Sequence, residues 1–395
     1  MSTPDRPPTI ALCMEYPVAQ MGGVEVLVTE LLRRLTTEFR IVLVSDDTPE
    51  TLASAGLRES CVAHLPWKFG ARRPGRAALL AQALSDHGVG LAHFHFGGTY
   101  CWDSRWPGRS PVLHLARRGV PVLSTNHLVH PPLEGYCGPH RPAWFRLGML
   151  PSAWIAHLQI LSAVRTEFTV STRDRDAARR LFWPLARKIE LMYHSKLDPA
   201  CEPPPAPGPR EPLILNVGTL GLRKGQILLL EAFDLIADDF PEWSVCCLGQ
   251  VEQDDYRARL EAHPAYVRRR NRFRIAGFTP EAETVATMRR AAVFAMPSLS
   301  EGLGLSLQEA LYRGCACVGM AVGGIPDLIV DGVSGLLAEP QSVADLAAKL
   351  AGLLRDPDLR MRLARGGQEH LDALAMTAPA MAHRHAERYR AILHC

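Results

Sequence analysis

No C-x-x-C pair occurs in this chain of 395 residues, although ten cysteines are spread from Cys13 to Cys395. That absence removes the commonest zinc-ribbon and dithiol-redox signatures. Cys246 and Cys247, like Cys315 and Cys317, fall in apolar runs that read as strands, so buried thiols in a reducing cytosol are expected. An excess of one charge is missing too: 44 Lys and Arg against 41 Asp and Glu leave a net charge of +3, too little to argue for nucleic acid or an acidic partner. The opening stretch MSTPDRPPTIALCMEYP lacks the basic start and apolar run of a signal peptide, and a cytoplasmic location is the expectation. There is also no clean run of about 20 apolar residues, the length needed to span a bilayer. The longest uncharged stretch, Leu147 to Val164, holds Pro151, His157 and Gln159 and reads mostly as a buried helix, with a membrane-surface helix as the other reading. No repeat with a period of 20–50 residues is present, which excludes solenoid arrays.

What the sequence does contain is an alternation of strand and helix, run through twice. TIALCMEYP (9–17) reads as a first strand. Val24, Leu27, Val28, Leu31, Leu32 and Leu35 follow at helical spacing. FRIVLVS (39–45), LAHFHF (91–96), PVLSTNH (121–127) and EFTVST (167–172) continue the series of β-rich runs. Residues 202–212, EPPPAPGPREP, carry six prolines and a glycine, which suits neither a helix nor a central strand and marks a linker. Beyond it the pattern restarts with LILNVG (213–218), WSVCCLG (243–249), FRIAGF (273–278), AVFAMPS (292–298), CACVGM (315–320) and GLLAEP (335–340). Strands separated by helices imply α/β units with parallel sheets covered on both faces. The expected division is residues 1–201, a linker at 202–212, residues 213–376, and a last helix near 377–393 that packs back on the first domain.

The stretch SEGLGLSLQEALYRG (300–314) sets Glu301 and Glu309 on either side of an uncharged loop with two glycines. Gly302 and Gly304 permit close backbone approach to a ligand, and helical spacing from Leu305 to a stop at Gly314 puts amides at a helix N-terminus, where a phosphate binds well. A carboxylate accepts hydrogen bonds from sugar hydroxyls, so one glutamate on each side would grip the two ends of a nucleotide-sugar. The plain alternative is a solvated pair of glutamates flanking an ordinary turn, and the spacing alone favours it.

The same stretch resembles the E-x7-E motif of retaining GT-B glycosyltransferases, in particular the glycosyltransferase family 4 group. MGGVE (21–25), LAHFHF, GVPVLSTNH (119–127), VSTRDRDAARR (170–180), KIELMYHSKLD (188–198), NVGTLGLRKGQ (216–226) and VGGIPDLIVDGVSGLL (322–337) resemble further motifs of that group, in the family's order over nearly the whole chain. The resemblance implies two tandem Rossmann-like domains (the GT-B fold) with an interdomain cleft, donor binding in the second domain and acceptor binding in the first. It implies a metal-independent hexosyltransferase with no cofactor beyond a nucleotide-diphosphate sugar as co-substrate. Glu309 would hold the nucleotide ribose and Glu301 would sit beside the transferred sugar. The amides of Leu303 and Gly304 would meet the diphosphate, and Arg223 and Lys224 would neutralise it. Gly22 and Gly23 would cap the donor, and His127 would lie near the reacting sugar. Glu301, His127 and Lys224 are thus the expected catalytic residues. The acceptor would carry a hydroxyl, on a glycan, a lipid-linked molecule or a small molecule.

Three departures stand out: Thr219 where the family often has arginine, Gly249-Gln250 in place of a glycine-rich turn, and Leu128 after His127 where an acid is frequent. DRD (174–176) and DPD (356–358) have D-x-D spacing but read as helix starts, and no metal is expected. His93 and His95 alternate on one strand and read as a strand-end polar pair near the acceptor. RRRNRFR (268–274) and KFGARRPGR (68–76) read as solvated basic segments, with contact to anionic lipid at the inner membrane face as the second reading. The rival functions are a sugar-nucleotide epimerase of the same fold and a non-catalytic nucleotide-sugar-binding protein. A dinucleotide oxidoreductase is disfavoured because GLG (302–304) lacks the third spaced glycine.

Overall fold

The computed structural model describes residues 6–19, 22–68, 75–97, 110–127, 143–205, 209–251 and 254–394. Met21, Leu128 and most of the basic segment 68–76 lie outside the described residues. The chain forms two compact units, residues 1–196 with 377–395, and residues 197–376.

The first unit contains seven strands: β1 (Thr9–Met14), β2 (Arg40–Ser45), β3 (Ala63–Pro66), β4 (Leu91–Phe96), β5 (Val122–Asn126), β6 (Thr166–Thr169) and β7 (Ile189–Leu191). They form one sheet in the order β3-β2-β1-β4-β5-β6-β7, with every pairing parallel. β1 and β4 are buried at every position, because helices cover both faces of a parallel sheet. The amphipathic helix Gly23–Leu35 buries Leu27, Val28, Leu31, Leu32 and Leu35, as its spacing requires. β3 and β7 are short edge strands absent from the sequence reading; four residues ending in proline, or three at a sheet edge, carry little periodic signal. The helix Ala143–Ala163 departs from the expected buried helix. Ala153, Ala156, Ile160 and Leu161 are buried, but Trp144, Leu147 and Ile155 on its other side are exposed. Among the described residues no helix is long and apolar enough to cross a membrane.

The second unit contains β8 (Glu211–Val217), β9 (Ser244–Leu248), β10 (Phe273–Gly277), β11 (Ala291–Met296), β12 (Ala316–Met320) and β13 (Leu336–Ala338). This sheet is also parallel throughout and runs β10-β9-β8-β11-β12-β13. Strand order therefore reverses between β1 and β4 in one unit and between β8 and β11 in the other. At such a reversal the chains leaving the two central strands cross to opposite faces of the sheet, and in open α/β sheets ligands bind at the C-terminal ends of those strands.

Two boundaries differ from the sequence reading. The second unit begins at Leu197, not after a linker ending at 212, and β8 already starts at Glu211. The reason is local: Glu202 accepts hydrogen bonds from Arg313 (2.6 and 3.0 Å) and Arg289 (2.9 Å), and its carbonyl accepts one from the Tyr312 hydroxyl. Those contacts tie the start of the proline-rich segment to the second unit. The last helix, Ala378–Leu393, belongs to the first unit. It contacts the helix Gly23–Leu35 and β4, with ion pairs from Arg388 to Glu190 and from Arg390 to Glu38.

Candidate active site

The loops that leave β8 and β11 lie against each other. After β8 comes a single 3-10 turn, Leu222–Lys224, and then Gly225, which starts the helix Gln226–Ile236 in the left-handed conformation (φ 67°). A Cβ at Gly225 would fall 2.1 Å from the carbonyl oxygen of Pro297, so only glycine allows the approach. The Leu299 amide donates to the Arg223 carbonyl at 2.8 Å and closes the seam. Gln226, fully buried, donates to the Thr219 carbonyl (3.0 Å), and Asn216 donates to the Ala295 carbonyl (2.9 Å), bracing β8 against β11.

This seam brings three expected site residues into one ion cluster. Lys224 Nζ donates to Glu301 Oε2 at 2.6 Å, Arg223 lies 3.8 Å from Glu301 Oε1, and the Ser298 hydroxyl donates to Oε2 at 3.3 Å. Glu301 is buried. Burial alone would raise its pKa; the charges of Lys224 and then Arg223, with hydrogen bonds from Lys224 and Ser298, outweigh it and hold the carboxyl below the usual glutamate range. Two cations face one carboxylate, which leaves a net positive charge beside the loop.

Leu303 and Gly304 follow directly. Gly304, at φ 96°, caps the helix Leu305–Tyr312, and neither amide has an acceptor among the described residues. Uncommitted amides at a helix start beside surplus positive charge suit an anion. Gly323 (φ 52°) presses the next loop onto this one: a Cβ there would lie 1.6 Å from the Glu301 carbonyl oxygen. Glu309 is buried one turn into the helix, where Arg313 donates to its Oε1 at 3.3 Å. Gly314 (φ 73°) ends that helix, as its sequence indicates. Thr219 has a buried hydroxyl with no hydrogen-bond partner among the described residues, and Gly249 packs so tightly that a Cβ would meet the Gly218 carbonyl oxygen at 1.9 Å. Gly249-Gln250 thus serves as a backbone brace behind the β8 loop.

Gly22, Gly23 and His127 lie in the first unit. Gly22 caps the helix Gly23–Leu35. The carboxylate of Glu25 folds back on that helix start; burial raises its pKa, and hydrogen bonds from the amides of Glu25 and Val24 oppose the rise. His127 is buried, and its Nε2 lies 3.1 Å from Nδ1 of His95, so among the described residues its ring's hydrogen-bond partner is a second imidazole, not an acid. His93 is buried within β4, not at a strand end: it meets the Tyr389 hydroxyl at 2.6 Å and the Thr125 hydroxyl at 2.8 Å. His93, His95, His127, His194 and His385 form a chain of rings whose neighbouring centroids are 4.2–5.6 Å apart. Burial, reinforced by mutual repulsion, depresses the pKa of His93, His95, His127 and His194 well below the usual value. Burial likewise takes His385 to about 4.

The remaining candidates resolve as structural. Arg268 and Arg269 pair with Asp234, and Arg269 also with Asp238; Arg272 donates to the carbonyls of Trp243 and Ala237. Asp174 lies in the first turn of the helix Thr172–Leu181, and Asp356 caps the helix Pro357–Ala373. The sequence reading missed Ser298, Gly323, Arg313 and Glu202. Arg313 could have been found from its spacing of four from Glu309. Glu202, distant in sequence, could not.

Two family models match the chain in tandem: Glycosyltransferase Family 4 over residues 21–195 and Glycosyl transferases group 1 over residues 203–370. Glycogen synthase of Mycobacterium tuberculosis is 26% identical over 378 residues, covering 90% of this chain and 88% of that protein. A 2-deoxystreptamine glucosyltransferase of Streptomyces kanamyceticus is 34% identical over 160 residues, 40% of this chain and 41% of that protein. Among solved structures, a glycosyltransferase from Rickettsia africae superposes with a TM-score of 0.74 at 16% identity, over 98% of this chain and 99% of that one. Anabaena HepE in complex with UDP gives 0.70 at 15% identity, over 97% and 100%. Two parallel α/β units, two tandem family models and full-length structural likeness agree: the chain belongs to the GT-B glycosyltransferases of family 4 type.

Proposed function

We propose that the chain transfers a hexose from a nucleotide-diphosphate sugar to a hydroxyl acceptor, with retention of anomeric configuration and without a metal ion. The observation that carries this reading is the Lys224–Glu301 pair set beside the uncommitted amides of Leu303 and Gly304. In it, Arg223, Lys224 and the two amides receive the diphosphate. Glu301, kept ionised by its cations, accepts hydrogen bonds from hydroxyls of the transferred sugar, and Glu309, steadied by Arg313, accepts from the ribose. Support also comes from Anabaena HepE, solved with UDP and with UDP-glucose.

The chemical step is an exchange of oxygens at the anomeric carbon. The bond to the diphosphate oxygen breaks, and its electron pair stays on that oxygen. The acceptor oxygen bonds to the same face of the sugar, and its proton passes to the departing diphosphate. The chain's own contribution is positioning and stabilisation of the charge that grows on the leaving oxygen. Gly22, Gly23 and His127 complete the reading as donor-contacting residues of the first unit. Surplus charge at the donor site supports transfer over simple isomerisation of the sugar nucleotide less than the family membership does.

The test is a panel of nucleotide-diphosphate sugars scored by thermal stabilisation, since a ligand that binds the native state raises its melting temperature. Transfer with the best donor is then followed by NMR of the product's anomeric proton, with and without EDTA. At least one donor is expected to stabilise the protein and give a retained product in EDTA. Stabilisation by none of them, or activity abolished by EDTA and restored by a divalent ion, overturns the reading.

A further inference from the structure

The second unit holds a cavity of about 400 Å³ at the N-terminal ends of β8, β11 and β12, the opposite end of the strands from the candidate active site. Ala292 and Ala316, which line it, stand at the beginnings of β11 and β12, whereas the Glu301 loop leaves the far end of β11. A strand of that length separates the two places by roughly 17 Å at ~3.3 Å per residue. One face of the helix Pro357–Ala373 forms a wall, with Arg360, Met361, Ala364 and Arg365 at helical spacing. Arg210, just before β8, contributes a third guanidinium, and Gly314 beneath it leaves room, because a Cβ there would lie 3.1 Å from Nη2 of Arg210.

These three arginines differ from their neighbours. Arg268, Arg269, Arg289, Arg290 and Arg313 all pair with carboxylates. Arg210 instead donates to the carbonyls of Met288 (3.2 Å), Ala291 (3.1 Å) and Arg313, and Arg360 to those of Leu353 (2.6 Å) and Leu354 (3.1 Å). Arg360 is also stacked over Trp243 at 5.2 Å. Arg365 is exposed and has no ion-pair partner among the described residues. Among the described residues no Asp or Glu lines the cavity; the acidic group whose charge reaches Arg360 is Asp356, committed to capping the helix at 2.9 Å. Arginine remains charged at any physiological pH, and its planar fork matches phosphate oxygens. Two of the three are fixed by backbone carbonyls, so little ordering is needed on binding. The walls between them are apolar, and the volume suits a small molecule.

We propose that this cavity is a second ligand site, for a small organic phosphate monoester: the phosphate head lies among Arg210, Arg360 and Arg365, and an apolar or aromatic body rests on Met361 and Ala364. The site is separate from the one that receives the donor diphosphate, and the proposal stands whether or not that reading holds. Phenyl phosphate is the probe, titrated calorimetrically into the full chain, with inorganic phosphate and phenol as partial probes. Saturable binding of phenyl phosphate is expected, at least tenfold tighter than either part alone. Arg365→Glu, at an exposed position, should weaken it at least tenfold, and Ala364→Phe, which fills the cavity, should abolish it. Lys224→Ala should leave it unchanged. No saturable binding, or binding that survives Arg365→Glu and disappears in Lys224→Ala, overturns the proposal.

Discussion

The two units use the same device, a helix begun on glycine just beyond a central strand, and finish it in opposite ways. In the first unit the helix start at Gly22 is closed by the chain's own Glu25, and the core of the same unit holds a stack of neutral imidazoles. In the second the amides of Leu303 and Gly304 are left without an acceptor among the described residues, beside two cations that share one carboxylate. A helix start attracts negative charge wherever it occurs. What decides whether it receives a ligand is whether a side chain has reached it first.

The largest expected effect tests the charged half of that contrast. Lys224→Ala removes the closest counter-ion of a buried carboxylate and should slow nucleotide release from the donor by roughly 10²–10³-fold. Glu309→Ala should act on affinity instead, weakening donor binding roughly 10- to 100-fold by calorimetry. Full activity in both variants would end the assignment.

Acid tests the neutral half. A histidine held at about 4 in the native state, as His385 is, titrates near 6.5 when unfolded. Between those values the unfolded chain binds more protons, so stability is intact above about pH 6.5 and declines as pH falls toward 4. Glu301 has the same sign in a lower window: its depressed carboxyl contributes stability above the unfolded value of about 4.3 and loses it only as pH falls below that. Hydrogen exchange, corrected for intrinsic rates, should therefore show the first unit loosening between pH 7.5 and 5 while the second holds. Equal behaviour of the two units would sink the comparison.

The smallest effect comes from opening the closed helix start. Glu25→Ala should lower stability by about 0.3–1 kcal/mol in denaturant titration, the usual worth of an acid in a first helical turn. An unchanged midpoint would mean that Glu25 does not close it.

Much of this was legible in the sequence, for physical reasons that differ from place to place. Parallel strands buried on both faces leave continuous apolar runs, so β1, β4, β8 and β11 were plain. Glycines forced by φ or by close approach, such as Gly304 and Gly314, mark turns that periodicity alone would blur. Glu301 and Glu309 stood out through spacing joined to family resemblance. What stayed hidden depends on contacts between distant residues. The grip of Arg313 on Glu202, which moves the unit boundary, joins positions 111 apart in sequence. The pairing of His93 with Tyr389 joins positions 296 apart. The exposed side of the helix Ala143–Ala163 was misread because an apolar stretch without charge says nothing about which of its faces is covered.

That last helix, residues 378–393, carries a consequence for how the molecule is made. His385 and Tyr389 belong to the core of a unit whose other members precede residue 197, and 180 residues of separate architecture, Leu197–Met376, are translated in between. A nascent chain on the ribosome therefore holds the core of the first unit uncovered, with His93 and Phe39 waiting for the Tyr389 ring, until the whole second unit has emerged. The second unit can mature early; the first is sealed last.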